Sequence, residues 1–216
     1  MSYNTNTYRL PDPSINPQAP GFSVVGLKDE SPGVRSRLNN GGAISIDFAG
    51  NYWIFELGYT EMLPEKFNMI YPFISYAHSK KDPIYIQLPQ YVHPKSGEWS
   101  VSSSIMRAEG DISIGDTANE IIVTDWDSRG GDLDTGDMLR FTNSEKVYQV
   151  VMKDVSEGDA KILLHCPVIE KDKIETAGLY PNDIKFRVDV TEVSDSELSS
   201  RGVYEPFSLT CEENIL

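Results

Sequence analysis

Five aspartates crowd a short glycine-rich segment, and clustered carboxylates are the ligands that a hard cation such as Ca²⁺ takes. They lie in the loop 125–137, at Asp125, Asp127, Asp132, Asp134 and Asp137. The EF-hand pattern fails, because Arg129 stands where an oxygen ligand is needed and Gly136 stands where the last glutamate belongs. Asp and Gly also favour ordinary turns. We therefore predict a turn-rich loop with no bound metal, and a calcium site is the alternative.

Nucleophiles and imidazoles are few. The histidines His78, His93 and His165 do not lie at metal-ligand spacing from one another, and the chain has no Cys-x-x-Cys pair. Cys166 and Cys211 each lie in an apolar run that predicts a buried strand, and a single disulfide between them stays open. His165 and Cys166 are adjacent, so on a strand they would face opposite sides. We predict no catalytic, metal or cofactor site and no enzyme activity.

Two tryptophans offer a different chemistry. Exposed Trp99 and Trp126 would form a platform for a sugar ring, whereas burial in a core is the ordinary explanation. The many acids give no reason to choose a catalytic carboxylate pair. A carbohydrate- or fibre-binding β-module without catalysis is therefore the alternative function that the residues leave open.

The charge balance limits the partners. The chain carries 33 acidic and 19 basic residues, for a formal net charge of −14. A face that grips nucleic acid or anionic lipid needs clustered Lys and Arg, so neither is expected. The first residues resemble no signal peptide, and no apolar run reaches the length of a membrane span. We expect a cytoplasmic soluble protein that does not bind a membrane.

The elements that position these residues are mostly strands. Alternating apolar residues predict strands over 43–50 and 52–59, with Gly50–Asn51 as a hairpin turn between them. A second hairpin is predicted over 136–154, and it continues into a three-stranded meander that ends near residue 168. Further strands are predicted over 83–91, 120–126, 184–193 and 204–216.

One segment has helical spacing instead. Its apolar stripe consists of Leu63, Phe67, Ile70, Tyr71 and Ile74. Pro64 suits the first turn of a helix, and Lys80 and Lys81 suit the last. Pro72 should kink or shorten this helix, since it removes one main-chain hydrogen bond.

Residues 1–42 lack periodicity and are rich in Pro, Gly and Asn, which predicts an extended amino-terminal arm. A frayed terminus is one interpretation. Apolar residues within it, among them Leu10 and Phe22, favour an arm that wraps a neighbouring subunit.

The order of these segments resembles a known family. YWIFELGYTEMLPEKFNMIYPFI places an aromatic strand before a Pro-containing helix, and PIYIQLPQY follows it. A Gly/Ser-rich stretch then leads to EIIVTDW, GDMLRF…KVYQVV and ILLHCPVI, and the chain closes with KFRVDVTEV and FSLTCEENI. Over about residues 43–216 this pattern resembles the distal tail or minor tail proteins of tailed bacteriophages, which belong to the tail-tube lineage.

The resemblance implies a mainly β fold with three parts. A split β-barrel or sandwich with one packed α-helix would form from 43–92 plus 185–216, a small β-barrel over 93–184 would be inserted in it, and 1–42 would be the arm. It also implies a structural virion protein at the tail tip or baseplate, made in the host cytoplasm and assembled as a homo-hexameric ring. The ring would link the tail tube protein to baseplate hub or tail fibre proteins and leave a channel through which DNA passes without specific binding.

Overall fold

The structure is a computed structural model, and it describes residues 9–14, 16–37, 43–47, 50–96, 112–126, 132–169 and 178–215. Within these residues one α-helix and thirteen strands are present, so the predicted mainly β fold with a single helix is confirmed. The helix is α1 (Pro64–Lys80), and a short 3₁₀ helix lies at Pro89–Tyr91. The strands are β1 (Val24–Glu30), β2 (Gly33–Arg37), β3 (Ala43–Asp47), β4 (Tyr52–Tyr59), β5 (Ile84–Ile86), β6 (Ile112–Ile114), β7 (Glu120–Val123), β8 (Met138–Phe141), β9 (Val147–Ser156), β10 (Asp159–Leu164), β11 (Leu179–Tyr180), β12 (Phe186–Val193) and β13 (Phe207–Glu213).

The chain divides into two units, and three separate segments form the first. These segments are 1–28, 53–88 and 185–216, and they build a five-stranded sheet in the order β1-β4-β13-β12-β5. The central strand β13 pairs antiparallel with both β4 and β12, with Cys211 opposite Phe55 on one side and Val190 on the other. The two last strands therefore return to the sheet of the first part, as predicted.

The single helix packs on this sheet through one stripe. Phe67, Ile70, Ile74 and Ala77 are its buried residues, and α1 lies against β12. The helix continues past Pro72, so the predicted shortening does not occur. Pro72 has no N–H group to donate to the carbonyl oxygen of Asn68, four residues earlier. Both residues are exposed, so this carbonyl group lies on the solvent side of the helix.

The second unit comprises 29–52 and 89–184. Its six-stranded sheet has the order β11-β8-β9-β10-β7-β6, and the predicted hairpin and meander form its centre as β8, β9 and β10. Side chains on one face make a continuous core that includes Ile121, Phe141, Tyr148 and Ile162. Alternating apolar residues form these strands because only one face of the sheet is buried against this core.

The predicted hairpin at Gly50–Asn51 is wrong. β3 pairs with β2 in a separate two-stranded sheet, whereas β4 belongs to the five-stranded sheet. Gly50 has a positive φ of 129°, so the local turn chemistry is present. A residue type that suits a turn does not by itself choose the partner strand.

Part of the predicted arm is sheet. Residues 24–37 form β1 and β2, so this stretch is not an extended loop. Leu10 is buried, and its nitrogen donates a hydrogen bond to the carbonyl oxygen of Tyr85 at 2.9 Å. Arg9 and Leu10 therefore lie on β5 of their own chain, and the role of the arm stays a prediction. The division into an arm, a split barrel and an inserted barrel stays a prediction.

Candidate functional site

The Asp-rich loop is held by its own hydrogen bonds. Asp137 is 3% exposed; its Oδ1 accepts a bond from the nitrogen of Lys95 at 3.0 Å, and its Oδ2 accepts one from the nitrogen of Asp134 at 2.7 Å. Gly136 has a φ of 91°, a backbone conformation that favours glycine. Its nitrogen donates to the carbonyl oxygen of Val150 at 2.7 Å. The buried carboxylate thus organises the main chain of the loop.

Asp132, in the same loop, forms an ion pair with Lys153. Its Oδ1 pairs with Nζ of Lys153 and accepts a hydrogen bond from the nitrogen of Leu133 at 2.9 Å. Burial raises the pKa of Asp132, but the hydrogen bonds and the charge of Lys153 outweigh burial, so the pKa lies below its usual 3.8. Asp127 lies outside the described residues, among which no cluster of His, Cys, Asp or Glu can hold a metal ion. The geometry favours the turn interpretation.

His165 is a buried neutral imidazole. Its Nδ1 accepts a hydrogen bond from the nitrogen of Gln149 at 3.0 Å, and its Nε2 lies 3.7 Å from Oδ1 of Asp29. Burial lowers the pKa of His165 to about 4; the charge of Lys146 adds to this, and Asp29 opposes it. β10 ends at Leu164, so His165 follows the strand and does not lie in it as predicted.

The two cysteines are free thiols, so the disulfide left open by the sequence does not form. Cys166 and Cys211 are both buried. Burial, together with the charge of Asp189, raises the pKa of Cys211 to about 12. A thiol in this state is a poor nucleophile, because the thiolate is the reactive form. His78 and His93 are exposed on the surface.

The structure does not present Trp126 as a sugar platform. Its side chain is 5% exposed and belongs to the core of the six-stranded sheet, with Nζ of Lys153 at 5.7 Å from the ring centroid. The ordinary explanation, burial, therefore holds for this residue. Trp99 lies outside the described residues.

A shallow depression of about 530 Å³ lies in the first unit, where β4 ends and β13 begins. We call it the β4–β13 groove; it is lined by Val24, Gly58, Tyr59, Glu61, Pro206 and Phe207, among others. Val24 is 62% exposed at its edge. A Cβ on Gly58 would lie 3.1 Å from Cβ of Val24, so the glycine lets β1 approach β4 closely. This groove was not predicted, because segments that are distant along the chain build it.

Exposed acidic residues lie in the lining of the groove or next to lining residues in the sequence. Glu61 lines it, Asp195 follows the lining residue Ser194, and Glu205 precedes the lining residue Pro206. Oε2 of Glu61 accepts a hydrogen bond from Nη2 of Arg201 at 3.1 Å, and both side chains are more than half exposed. A depression with an apolar lining and an exposed carboxylate suits a partner that offers an apolar side chain next to positively charged side chains.

A largely buried polar cluster joins residues 9–14 to Gln87. Nη2 of Arg9 donates hydrogen bonds to Oδ2 of Asp12 at 2.8 Å and to Oγ of Ser14 at 2.6 Å, and it also reaches Oε1 of Gln87. Burial raises the pKa of Asp12, but hydrogen bonds from Ser14 and Arg9 outweigh it and leave this pKa below 3.8. This cluster too was invisible in the sequence, since Arg9 and Gln87 are 78 positions apart.

Within the described part of the chain, no helix combines the length and the apolar character that crossing a membrane requires.

Comparison with known proteins finds two similarities to phage distal tail proteins. Residues 10–91 match the family described as distal tail protein pb9, A domain, N-terminal. This span covers the groove's β4 side, α1 and β5. The distal tail protein pb9 of Escherichia phage T5 is 26% identical over 219 residues, and the match covers 96% of this chain and 100% of that protein. The predicted resemblance to the distal tail proteins of tailed phages is thereby confirmed.

Proposed function

We propose that this protein forms a homo-hexameric ring at the distal end of a phage tail tube. The ring links the tail tube protein to the baseplate hub or tail fibre proteins and leaves a channel for DNA. In this role the protein is made in the host cytoplasm, incorporated in the virion at the tail tip or baseplate, and performs no catalysis.

The full-length similarity to the T5 distal tail protein is the observation that carries the proposal. A match of 96% of this chain to all of that protein supports a shared role and not only a shared module. The six-fold ring is what the resemblance to the tail-tube lineage implies.

The net charge of −14 fits a channel for DNA. Acidic residues that line a channel repel phosphate and so prevent the passing DNA from adhering to the wall. The described residues that the sequence offered for catalysis also fit a structural role, since His165, Cys166 and Cys211 are largely or fully buried and Asp137 serves the fold.

The experiment is the mass of the purified chain in solution, by light scattering after size exclusion, with negative-stain imaging of the same fraction. We expect a species of six times the 24.2 kDa of one chain, with a central channel. Gold-labelled antibody against the protein should bind intact virions at the end of the tail remote from the capsid. Labelling elsewhere on the virion, or an assembly without a channel, would contradict the proposal.

A further inference from the structure

The first unit carries chemically opposite surfaces at the two ends of α1. The β4–β13 groove and its exposed carboxylates lie near the amino-terminal end, where Glu61 is three residues before Pro64. At the carboxyl-terminal end, Tyr76 is 50% exposed and is followed by the exposed Lys80 and Lys81. A helix of 17 residues separates these ends by roughly 25 Å.

Tyr76, Lys80 and Lys81 are all exposed at the carboxyl-terminal end of α1. Tyr76 and Lys80 are four positions apart, so they share a face of the helix. Lys81 ends α1 in the left-handed conformation, with a φ of 55°. Cations at this end complement the helix dipole, which accounts for the lysines alone. It does not account for a large aromatic side chain held half exposed beside them, and exposed aromatic side chains are enriched in protein interfaces.

The groove offers the complementary surface. Val24, Pro206 and Phe207 provide an apolar lining for an aromatic ring. Glu61 adds an exposed carboxylate to the lining, and the exposed Glu205 precedes the lining residue Pro206. An aromatic residue that enters a depression is the usual anchor of a protein interface, and charges around it set the orientation.

We propose that the carboxyl-terminal end of α1 in one copy docks in the β4–β13 groove of the next copy. Tyr76 enters the groove, and Lys80 and Lys81 face the carboxylates of Glu61 and Glu205. The contact joins two different surfaces, so it repeats from copy to copy and closes as a ring when the rotation allows. This inference rests on the proposed ring and specifies the contact that builds it.

The first test reverses the charges on the full chain. Lys80→Glu with Lys81→Glu, and separately Glu61→Lys with Glu205→Lys, should each raise the concentration of half-maximal assembly roughly tenfold or more, because like charges then meet. The chain that carries all four substitutions should recover much of the wild-type assembly. Lys161→Glu applies the same charge change to an exposed lysine of the other unit and should leave assembly unchanged.

The second test measures whether the end of α1 in one copy lies close to the groove of another copy. Val24→Cys and Tyr76→Cys in one chain should give a ladder of covalent oligomers with a short bismaleimide, because the two native cysteines are buried. Either substitution alone should give no ladder of covalent oligomers. Circular dichroism of each variant identifies any that fails to fold.

The outcomes separate this contact from the ring itself. Normal rings in both charge-reversed variants, with no crosslinked ladder, would overturn the contact and leave the ring intact. A chain that stays monomeric and yields no ladder would also overturn the contact, and virion labelling would then test the tail role by itself. Reversed variants that form rings but fail to attach another tail protein would assign the groove to that protein and overturn the contact between copies.

Discussion

Nη2 of Arg9 donates a hydrogen bond to Oδ2 of Asp12 at 2.8 Å, and about nine-tenths of each side chain is buried. Removal of the cation leaves a buried carboxylate without its charged partner. We expect Arg9→Ala to lower the free energy of unfolding by about 3 kcal/mol. Urea denaturation followed by tryptophan fluorescence measures this loss, and limited proteolysis should show earlier cleavage before β1.

Arg201→Ala is the matched control. Arg201 makes the same type of pair, with Glu61, but both side chains are more than half exposed. Loss of an exposed pair should cost about 0.5 kcal/mol. Equal losses in the two variants would show that Arg9 does not anchor the beginning of the chain.

The contact between Gly58 and Val24 sets how closely β1 approaches β4. We expect Gly58→Val to lower the free energy of unfolding by about 1 to 3 kcal/mol, because its Cβ would lie 3.1 Å from Cβ of Val24 and the strands must separate. Val24→Gly in the same chain removes the opposing atom and should restore part of the loss. Thermal unfolding compares the three chains. A Gly58→Val chain as stable as the wild type would mean that β1 is not held against β4.

His165 should make the fold sensitive to mild acid. Its pKa is lowered to about 4 in the folded state, whereas the unfolded residue titrates near 6.5. The unfolded state therefore binds the extra proton between these values, and stability falls as pH falls through this window, by at most about 1.4 kcal/mol per pH unit. The contribution is fully present above pH 6.5. Urea denaturation at a series of pH values measures the slope.

Substitution His165→Asn should flatten that slope, since Oδ1 of asparagine can replace Nδ1 as the acceptor from Gln149 but takes no proton. His78→Asn makes the same substitution at an exposed histidine on α1 and is the control. Asp12 and Asp132 have lowered pKa values, so their contributions are lost only at lower pH, below about 4. The same slope in all three chains would refute the assignment to His165.

Asp137 should be more important for stability than any other carboxylate of its loop. Asp137→Ala removes the acceptor for the nitrogens of Lys95 and Asp134, and we expect a loss of about 2 kcal/mol. Asp134→Ala changes an exposed side chain and is the control. Neither calcium nor a chelator should shift the melting temperature of the wild type. A rise in that temperature with calcium concentration would restore the calcium interpretation.

Periodicity predicted the elements well where one face of an element is buried. In β13 the residues Phe207, Leu209 and Cys211 are buried and the intervening ones are more exposed, which is the alternation visible in the sequence. The helix stripe at Phe67, Ile70 and Ile74 is buried in the same way. These patterns depend on spacing along the chain alone, and spacing along the chain is what a single sequence shows.

The partners of each strand, and the surfaces that distant segments build, were harder to predict from the sequence. Gly50 and Asn51 suggest a hairpin, yet β3 pairs with β2 and β4 pairs with β13, and packing against distant residues selects these partners. The Arg9–Gln87 contact and the β4–β13 groove depend on the same long-range packing. A polar residue near the beginning of a chain, or a glycine within a strand, looks the same in a sequence whether it is exposed or buried.

The position of β13 has a consequence for synthesis. It joins β4 to β12 in the first sheet, yet the ribosome makes it about 150 residues after β4, later than every other described strand. Until residues 207–213 emerge, the strands already made have no central strand to connect them, and the groove lacks Phe207. A nascent chain, or one truncated before residue 207, therefore cannot present the complete groove, so the proposed contact between copies can form only after β13 has been made.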